Sequence, residues 1–300
     1  MLQRESMAYK IRRRIQASAS RVLPKETLSK LYYRIVLHKK LDLKDPKTFN
    51  EKIQWMKLYC YPKDPLVVEV TDKYGAREYV SRKGYGDKLV PLHGVWEKAE
   101  DIDWEALPES FVLKCTHGCA YNIVVPAKRD LDKKAVVKQL NAWLKEDFGA
   151  FNIEPHYSEI KRRRIICEEF LGNKLIDYKF FCFGGKPQFI YVSSDLIHDR
   201  EAQMGFFELD GEKIPLKRDD YADLKEIVPP PFYSEMLSAA ESLSGDFPFV
   251  RVDFFITEDR WFFAELTFTP GAGMMPIEPE SYDVEWGKLI DLDAVKKKTR

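Results

Sequence analysis

Two apolar segments near the C-terminal end of this 300-residue chain constrain its fold more than any other feature. They run from Phe249 to Ile256 and from Trp261 to Phe268, and only residues 257–260 separate them. Apolar segments joined by a short polar turn predict an antiparallel hairpin. The segments 178–183 and 187–192, which flank a Gly-Gly-Lys turn, predict a second hairpin. The chain is therefore expected to build antiparallel sheet.

The predicted C-terminal hairpin brings acidic side chains together. Arg251 and Asp253 share a face because side chains alternate along a strand. Glu265 and Thr267 likewise share a face of the partner strand. Two neighbouring acids repel, so a cation is expected between them, and carboxylate oxygens suit Mg²⁺ that shares its shell with nucleotide phosphates. The alternative is that one acid points to solvent and pairs with Arg251 or Arg260.

Helices are predicted between the strands. Residues 48–59 begin with Thr48 as a candidate N-cap and with Glu51 three positions later, which is the pattern of a capping box. The segments 66–83 and 131–148 predict two further helices. Helices combined with antiparallel strands place the chain in the α+β class.

The composition is that of a folded globular protein. The 48 basic residues balance 48 acidic residues, and 45% of all residues are hydrophobic, which excludes the disordered and low-complexity classes. The uncharged runs stop at about a dozen residues, whereas a membrane-spanning helix needs about 20. Five cysteines, an odd number, and no signal peptide ahead of them predict reduced thiols in the cytoplasm.

Positive charge is concentrated at the N-terminal end. Residues 1–40 contain eleven Lys or Arg and two acids, a local charge of +9, while the rest of the chain carries −9. Apolar residues recur there at roughly helical spacing, so residues 1–45 are expected to form a basic, partly amphipathic helical arm. One interpretation is a helix packed on the main body with a solvated charged face. The other is attraction to an anionic glycan, or to anionic lipid at the inner face of the membrane.

Lysines at strand edges form a second set of candidate functional residues. Lys114 follows three apolar residues and precedes a turn that contains His117 and Gly118. This arrangement can lay an ammonium group and backbone N–H groups along a triphosphate. Lys179 lies within a predicted strand, where burial is costly unless the ammonium group meets an anion. The alternative for Lys179 is a solvent-facing position at a strand edge.

A polar segment follows the predicted strand that starts at Ile165. It consists of Glu168, Glu169, Phe170 and Leu171, and Asp177 comes shortly after it. Such a segment can act as a hinge whose backbone reads an adenine edge and whose acid holds a ribose.

Weaker motifs predict other chemistries. Cys115, His117 and Cys119 offer three soft donors, but a structural zinc site needs a fourth. Asp101 and Asp103 resemble the Asp-x-Asp of nucleotide-sugar glycosyltransferases, although the surrounding run of acids is typical of a solvated loop. The sequence contains no Walker phosphate loop and no nucleophile elbow.

Taken in order, these segments resemble the ATP-grasp superfamily. Arg251 to Phe255, then Ala264 to Thr267, then Pro270-Gly271 is similar to a run of D-alanine:D-alanine-ligase-like members, most of which have Asn at the position of Thr267. The chain resembles the TupA-like ATP-grasp family more closely, over about residues 40–292, and that family is associated with teichuronopeptide and other surface-polysaccharide synthesis. The segments that carry this closer resemblance are 48–52, 72–74, 111–118, 177–183 and 265–271.

The resemblance implies an ATP-grasp fold of two α+β subdomains with antiparallel sheets, which close on ATP. It implies an ATP-grasp domain at 46–300, with a lid at about 86–167, a hinge at 168–171 and a catalytic sheet at 172–300. The implied nucleotide-binding residues are Lys73, Lys114, His117, Gly118, Glu168, Glu169, Phe170, Leu171, Asp177 and Lys179. The implied metal ligands are Asp253, Glu265 and Thr267. The implied catalytic residues are Lys114, Lys179 and Arg251, and the implied substrate contacts are Arg251 and Gly271.

The resemblance also implies ATP-dependent ligation that uses Mg²⁺. A carboxylate attacks the γ-phosphate, and an amine then displaces phosphate from the acyl phosphate to give an amide. The expected carboxylate is a uronic acid of a surface polymer or an amino acid, the amine is left open, and no nucleic-acid partner is expected. The alternatives are a phosphotransferase on the same fold, a polysaccharide glycosyltransferase that uses Asp101 and Asp103, and a docking module without activity.

Overall fold

The computed structural model describes residues 16, 19–20, 22–173, 175–194, 202–216 and 221–298. The arginines at 12–14 of the predicted basic arm lie outside these residues. The helices are α1 (Lys25–Leu37), α2 (Phe49–Tyr59), α3 (Pro65–Thr71), α4 (Lys73–Arg82), α5 (Lys133–Lys145), α6 (Phe148–Asn152), α7 (Pro155–Ser158), α8 (Tyr233–Ser244), α9 (Ser281–Lys288) and α10 (Leu292–Lys298). The strands are β1 (Leu92–Trp96), β2 (Phe111–Cys115), β3 (Asn122–Val125), β4 (Ile165–Glu169), β5 (Ile176–Phe183), β6 (Lys186–Ser194), β7 (Gln203–Glu208), β8 (Lys213–Ile214), β9 (Ala222–Asp223), β10 (Phe249–Ile256) and β11 (Trp261–Thr267).

The strands form two sheets, and the predicted α+β class is confirmed. The small sheet has the order β1-β4-β2-β3. The large sheet has the order β11-β10-β5-β6-β7-β8, and β9 pairs in parallel with β7. All the other strand pairs are antiparallel. The chain passes from the small sheet to the large sheet once, between the end of β4 and the start of β5.

The local signals in the sequence predicted several elements correctly. Both predicted hairpins are present, as β5 with β6 and as β10 with β11. The capping box at the start of α2 is also present. The Thr48 hydroxyl accepts from the Glu51 N–H, and the Glu51 carboxylate accepts from the Thr48 N–H. Hairpins and capping boxes depend only on residues that are close in the sequence. The sequence alone was therefore enough to predict them.

The single helix predicted over residues 66–83 is wrong. The chain forms α3 and α4 instead, and Asp72 separates them. The Asp72 carboxylate accepts from the Gly75 N–H at 3.1 Å and so caps α4. A Cβ on Gly75 would lie 2.2 Å from the Glu69 carbonyl oxygen, so this close turn requires glycine. The break makes Lys73 the first residue of a new helix, next to the small sheet.

Each sheet has its own hydrophobic core. One face of the large sheet packs on α8, and the other carries stacked aromatic rings from α2, α9 and the sheet. Phe189 and Trp286 stack there with ring centroids 4.0 Å apart. The small sheet buries Phe111 and Leu113 beneath Leu140 of α5. None of the described helices combines the length and the apolar character needed to cross a bilayer.

Candidate functional site

A cleft of about 360 Å³ lies between the two sheets and α4. Its polar lining comes from three parts of the chain, so it exists only in the folded protein. The small sheet contributes Lys114 and Glu168, α4 contributes Lys73 and Arg77, and the large sheet contributes Asp177, Lys179, Asp253 and Glu265.

Arg251 lies between the two acids of the C-terminal hairpin. Asp253 and Glu265 are opposite each other in the β10–β11 register, as predicted. Arg251 donates to both carboxylate oxygens of Asp253, from Nε at 2.7 Å and from Nη2 at 2.6 Å. The same Nη2 lies 3.2 Å from Glu265 Oε1 and 3.1 Å from the Thr267 hydroxyl, which itself donates to Glu265 at 2.9 Å. These four residues are called the Arg251 cluster below.

Of the two cations that the sequence offered as partners for these acids, the structure has Arg251. Its guanidinium group contacts both acids, and Glu265, with a side chain 39% exposed, is the one nearer to solvent. Arg260, the other cation considered, lies at the exposed hairpin turn and pairs with Asp259 at 3.6 Å. The cation between the acids in this structure is therefore the side chain of Arg251.

The two acids of the Arg251 cluster differ in their electrostatics. The Asp253 side chain is 3% exposed and that of Glu265 is 39% exposed. Burial raises the pKa of Asp253 to about 6, against the opposing effect of Arg251 and Lys179. Burial also disfavours the charge of Glu265, but Arg251 and Lys73 outweigh it and lower the pKa of Glu265. Both acids are mainly ionised at neutral pH and share one guanidinium group.

The donor set of the Arg251 cluster fits a magnesium ion. Asp253, Glu265 and Thr267 offer only oxygen donors, which Mg²⁺ prefers when phosphates complete its shell. Among the described residues there is no group of three or more His, Cys, Asp or Glu that could hold a metal. The cluster would therefore supply only part of the shell of an ion at this position, and phosphate oxygens or water would complete it. Such an ion would also require Arg251 to move, since Arg251 bonds to all three donors.

Lys179 is buried next to the Arg251 cluster, so its solvent-facing alternative is wrong. Lys179 is 9% exposed, and its Nζ lies 3.1 Å from Asp177 Oδ2. The β5–β10 register places it opposite Asp253. Asp177 also accepts a hydrogen bond from Ser193 at 3.4 Å. The anion that pairs with the buried ammonium group of Lys179 is thus the carboxylate of Asp177.

On the opposite wall, Glu168 binds two cations. Its Oε1 accepts from Arg77 at 2.7 Å and its Oε2 accepts from Lys114 at 2.5 Å. Burial disfavours the charge of Glu168, but Lys114 and Arg77 outweigh it and lower its pKa. These three residues are called the Glu168 cluster below. The Glu168 carboxylate, which lies in the segment whose backbone was predicted to read an adenine edge, is therefore bound by two cations of the protein.

Arg77 was missed by the sequence analysis. It belongs to no motif and lies 91 positions from its partner Glu168. One signal was available, because Lys73 and Arg77 are four positions apart and therefore share a face of α4. That face turns toward the cleft, and Arg77 also donates to the Val90 carbonyl at 2.8 Å.

Lys73 joins α4 to the loop that follows β2. Its Nζ donates to the Gly118 carbonyl at 2.7 Å, and its N–H donates to the Thr116 carbonyl at 3.0 Å. Gly118 is required there, because a Cβ would lie 2.7 Å from the Tyr121 ring. The loop thus packs closely over one end of the cleft.

His117 does not line the cleft, contrary to its predicted role. It is 1% exposed, and its Nε2 donates to the Trp143 carbonyl of α5 at 3.0 Å. Burial lowers the pKa of His117 to about 4. Its neighbours Cys115 and Cys119 form no metal cluster with it, and all five cysteines are free.

The remaining predicted residues are outside the lining of the cleft, and Arg251 and Thr267 are among them, although both contact the lining residue Glu265. Glu169 ends β4, and Phe170 and Leu171 begin the connection between the two sheets. Gly271 lies in the turn Pro270–Gly273 after β11, where φ is +57°. Their roles toward nucleotide and substrate remain predictions.

Two buried ionisable side chains, Lys57 and Glu154, also missed by the sequence analysis, support this turn. Lys57 donates to the Ala272 carbonyl at 2.9 Å, and Glu154 accepts from the Thr269 hydroxyl. Burial lowers the pKa of Lys57 to about 8 and raises that of Glu154 to about 7. The turn after β11 is therefore fixed from two sides by buried polar groups.

The acids of the glycosyltransferase alternative do not approach the cleft. Asp101 ends a short 3₁₀ turn, and the Asp103 carboxylate accepts from the Glu105 N–H at 3.2 Å. Both side chains are exposed, as expected for a solvated loop.

Solved structures provide several similar proteins, all at low identity. D-alanine–D-alanine ligase from Bacillus anthracis is 17% identical, with a TM-score of 0.46 over 78% of this chain and 68% of that chain. N5-carboxyaminoimidazole synthetase from Staphylococcus aureus is 17% identical, with a TM-score of 0.43 over 84% and 63% of the two chains. L-amino acid ligase from Bacillus licheniformis is 13% identical, with a TM-score of 0.42 over 69% and 45%. The chain thus spans between 45% and 68% of the length of these proteins.

Comparison at the level of sequence families is decisive. No curated protein matches the chain. A family model for TupA-like ATP-grasp proteins matches residues 51–291, which includes both sheets, both clusters and the cleft. The chain therefore belongs to the TupA-like ATP-grasp family, as its sequence motifs indicated.

Proposed function

We propose that this protein is an ATP-dependent carboxylate–amine ligase that acts through an acyl phosphate. The family supports ATP-dependent ligation as the general class. The observation that carries the proposal is the opposite charge of the two cleft walls. Two acids share one guanidinium group on the large sheet, and one acid is shared by two cations on the other wall. A triphosphate with its metal ion carries both signs of charge and can bind both walls.

The residues of the cleft have distinct roles in this proposal. Lys73, Arg77 and Lys114 bind phosphate oxygens, since their positive charges exceed the single negative charge of Glu168. Asp253, Glu265 and Thr267 hold Mg²⁺, which would supply positive charge to the phosphates when bound. Arg251 and Lys179 stabilise negative charge on the transferring phosphoryl group. Positioning and charge account for this chemistry, and no protein nucleophile is required.

The parts of the protein near the cleft complete the proposed site. The backbone of residues 168–171 binds adenine, Asp177 binds the ribose, and the turn that contains Gly271 binds the carboxylate substrate. The proposed carboxylate is a uronic acid or similar group in bacterial surface-polysaccharide synthesis, and an amino acid or other amine is joined to it. The basic arm is proposed to contact an anionic partner at the cytoplasmic side of the membrane.

Product analysis tests the proposal. The protein is incubated with MgATP, a panel of uronic acids and amino acids as carboxylates, and a panel of amines. We expect ADP and phosphate to be released in equal amounts, and only when a carboxylate and an amine are both present. Hydroxylamine in place of the amine should trap the acyl phosphate as a hydroxamate.

The controls separate ligation from the phosphotransferase alternative. Asp253→Asn should abolish ADP release, whereas Asp259→Asn, in an acid 75% exposed at the turn of the same hairpin, should not. A stable phosphorylated product formed without any amine would contradict ligation and identify a phosphotransferase.

A further inference from the structure

Helix α1 and the residues just before it carry an exposed apolar surface that the proposed chemistry does not use. Ten large hydrophobic side chains are exposed among the described residues, and five of them lie within residues 22–36. The other five are scattered along the chain between residues 92 and 289. The five are Val22, Leu23, Leu31, Ile35 and Val36, with exposed fractions of 81%, 39%, 48%, 57% and 42%. Together with Lys30 and Arg34 they are called the α1 surface below.

The opposite side of α1 is fixed to the body of the protein. Leu28 and Tyr33 are each 2% exposed, and Tyr33 packs in a cluster with Leu41 and Leu43. Tyr59 of α2 also donates to the Glu26 carboxylate at 2.9 Å. The α1 surface therefore faces away from the body of the protein, and its apolar side chains are exposed to solvent.

Basic and apolar side chains run side by side on the α1 surface. Leu31 and Ile35 are one helical turn apart, and so are Lys30 and Arg34. Lys30 pairs with Glu26 at 2.6 Å, and both side chains are about half exposed. The surface belongs to residues 1–40, which carry +9 in a chain whose total charge is zero.

We infer that the α1 surface binds the surface of an anionic lipid bilayer. The boundary between lipid headgroups and acyl chains accepts apolar side chains, and anionic headgroups attract basic ones. Such a bilayer can therefore bind both the apolar and the basic residues of the α1 surface. A soluble anionic polymer would neutralise the charge but leave Leu31 and Ile35 in water. A second copy of the chain would cover the apolar groups but bring two sets of basic residues together, which repel.

This inference narrows the anionic partner proposed above to lipid and is independent of the ligase chemistry. A protein that fails to bind MgATP can still bind vesicles through α1, and a protein that ligates can fail to bind vesicles. The two proposals therefore succeed or fail in separate measurements.

Vesicle sedimentation of the full chain provides the test. Binding is measured to phosphatidylcholine vesicles and to vesicles with an equal part of phosphatidylglycerol, at low and at high salt. We expect binding only to the anionic vesicles, weakened by salt. Leu31→Gln/Ile35→Gln should weaken it by about tenfold, and Lys30→Gln/Arg34→Gln by about tenfold or more.

Matched controls separate this surface from general apolar or folding effects. Val228→Gln/Leu92→Gln changes two exposed apolar residues that lie outside α1, and this variant should bind like the wild type. Circular dichroism of each variant should match that of the wild type.

Three results would overturn the inference. The first is equal binding to neutral and anionic vesicles. The second is vesicle binding that Leu31→Gln/Ile35→Gln leaves unchanged, because the contact would then be one of charge alone, as with a soluble polyanion. The third is a dimer in sedimentation equilibrium that this variant abolishes, because a second copy would then cover the surface.

Discussion

The two clusters that face the cleft are built from opposite proportions of charge. In the Arg251 cluster, one guanidinium group serves two acids, while in the Glu168 cluster one carboxylate serves two cations. Each cluster is partly neutralised by its own residues and lacks one charge of the opposite sign. The two walls are therefore complementary in charge to a ligand with both an anionic and a cationic part, as the proposed function requires.

The first prediction breaks the Arg251 cluster and has the largest expected effect. Arg251→Met leaves Asp253 and Glu265 facing each other without their shared cation. Removing one partner of a buried ion pair costs about 3–5 kcal/mol, and two like charges remain here, so we expect about 4 kcal/mol less free energy of unfolding. Mn²⁺ should restore part of this loss, because the metal can replace the guanidinium group. Urea denaturation with and without Mn²⁺ measures both effects.

A matched arginine provides the control for this prediction. Arg260 lies at the exposed turn of the same hairpin, with a side chain 63% exposed. Arg260→Met should therefore change the free energy of unfolding by less than about 1 kcal/mol. An Arg251→Met protein as stable as the wild type, or one that gains nothing from Mn²⁺, would contradict the account of this cluster.

The second prediction breaks the Glu168 cluster. Here an anion, rather than a metal cation, should restore the lost stability. Glu168→Gln leaves Arg77 and Lys114 together without their carboxylate. We expect a loss of about 3 kcal/mol, less than for Arg251→Met because Lys114 is 19% exposed and can turn toward water. Inorganic triphosphate should restore stability and Mn²⁺ should not, as measured by urea denaturation. Glu169→Gln, in the neighbouring exposed acid, is the control and should have little effect.

The third prediction concerns the pH dependence of the Glu168 cluster. The pKa of Glu168 lies below its ordinary value of 4.5 in the folded protein. Its contribution to stability is therefore complete above pH 4.5 and is lost as the pH falls through the folded value. The difference in stability between wild type and Glu168→Gln should accordingly shrink toward zero in acid. Urea denaturation at a series of acidic pH values measures this difference in stability. A difference that grows as the pH falls would contradict the lowered pKa of Glu168.

The smallest expected effect concerns the hydroxyl group within the Arg251 cluster. Thr267→Val keeps the shape of the side chain but removes its hydrogen bonds to Arg251 and Glu265. We expect affinity for MgATP to fall by about tenfold, or about 1.4 kcal/mol, if the hydroxyl helps to arrange the acids. Thr257→Val, in a half-buried threonine at the hairpin turn, is the control. Calorimetry that shows equal affinities for Thr267→Val and wild type would remove Thr267 from the site.

The sequence predicted those parts of the site that follow from local rules. Strand alternation and a short turn were enough to place Asp253 opposite Glu265. They left the partner of Arg251 open, because its long side chain can reach several groups on the same face of the hairpin. Arg77 was missed because its contact with Glu168 depends on how α4 packs on the small sheet.

The other differences also arise from packing at a distance. His117 follows a strand in the manner of a phosphate-binding loop, yet its ring is drawn into the core between the small sheet and α5. The helix predicted over 66–83 was interrupted because Asp72 serves as a cap and also receives a hydrogen bond from Arg164 at 3.0 Å. Neither the position of the His117 ring nor the break at Asp72 can be predicted from hydrophobic periodicity. Periodicity shows which face of an element is apolar, but not which other element packs on it.

If the two walls bind different parts of one ligand, ATP and its metal ion should depend on different residues. ATP binding is measured by calorimetry with and without Mg²⁺, for the wild type and for Asp253→Asn/Glu265→Gln. We predict that Mg²⁺ strengthens ATP binding to the wild type, and that the double variant loses this gain but keeps metal-free binding through the cations of the other wall. Absence of ATP binding to the wild type, or the same gain from Mg²⁺ in both proteins, would contradict the account.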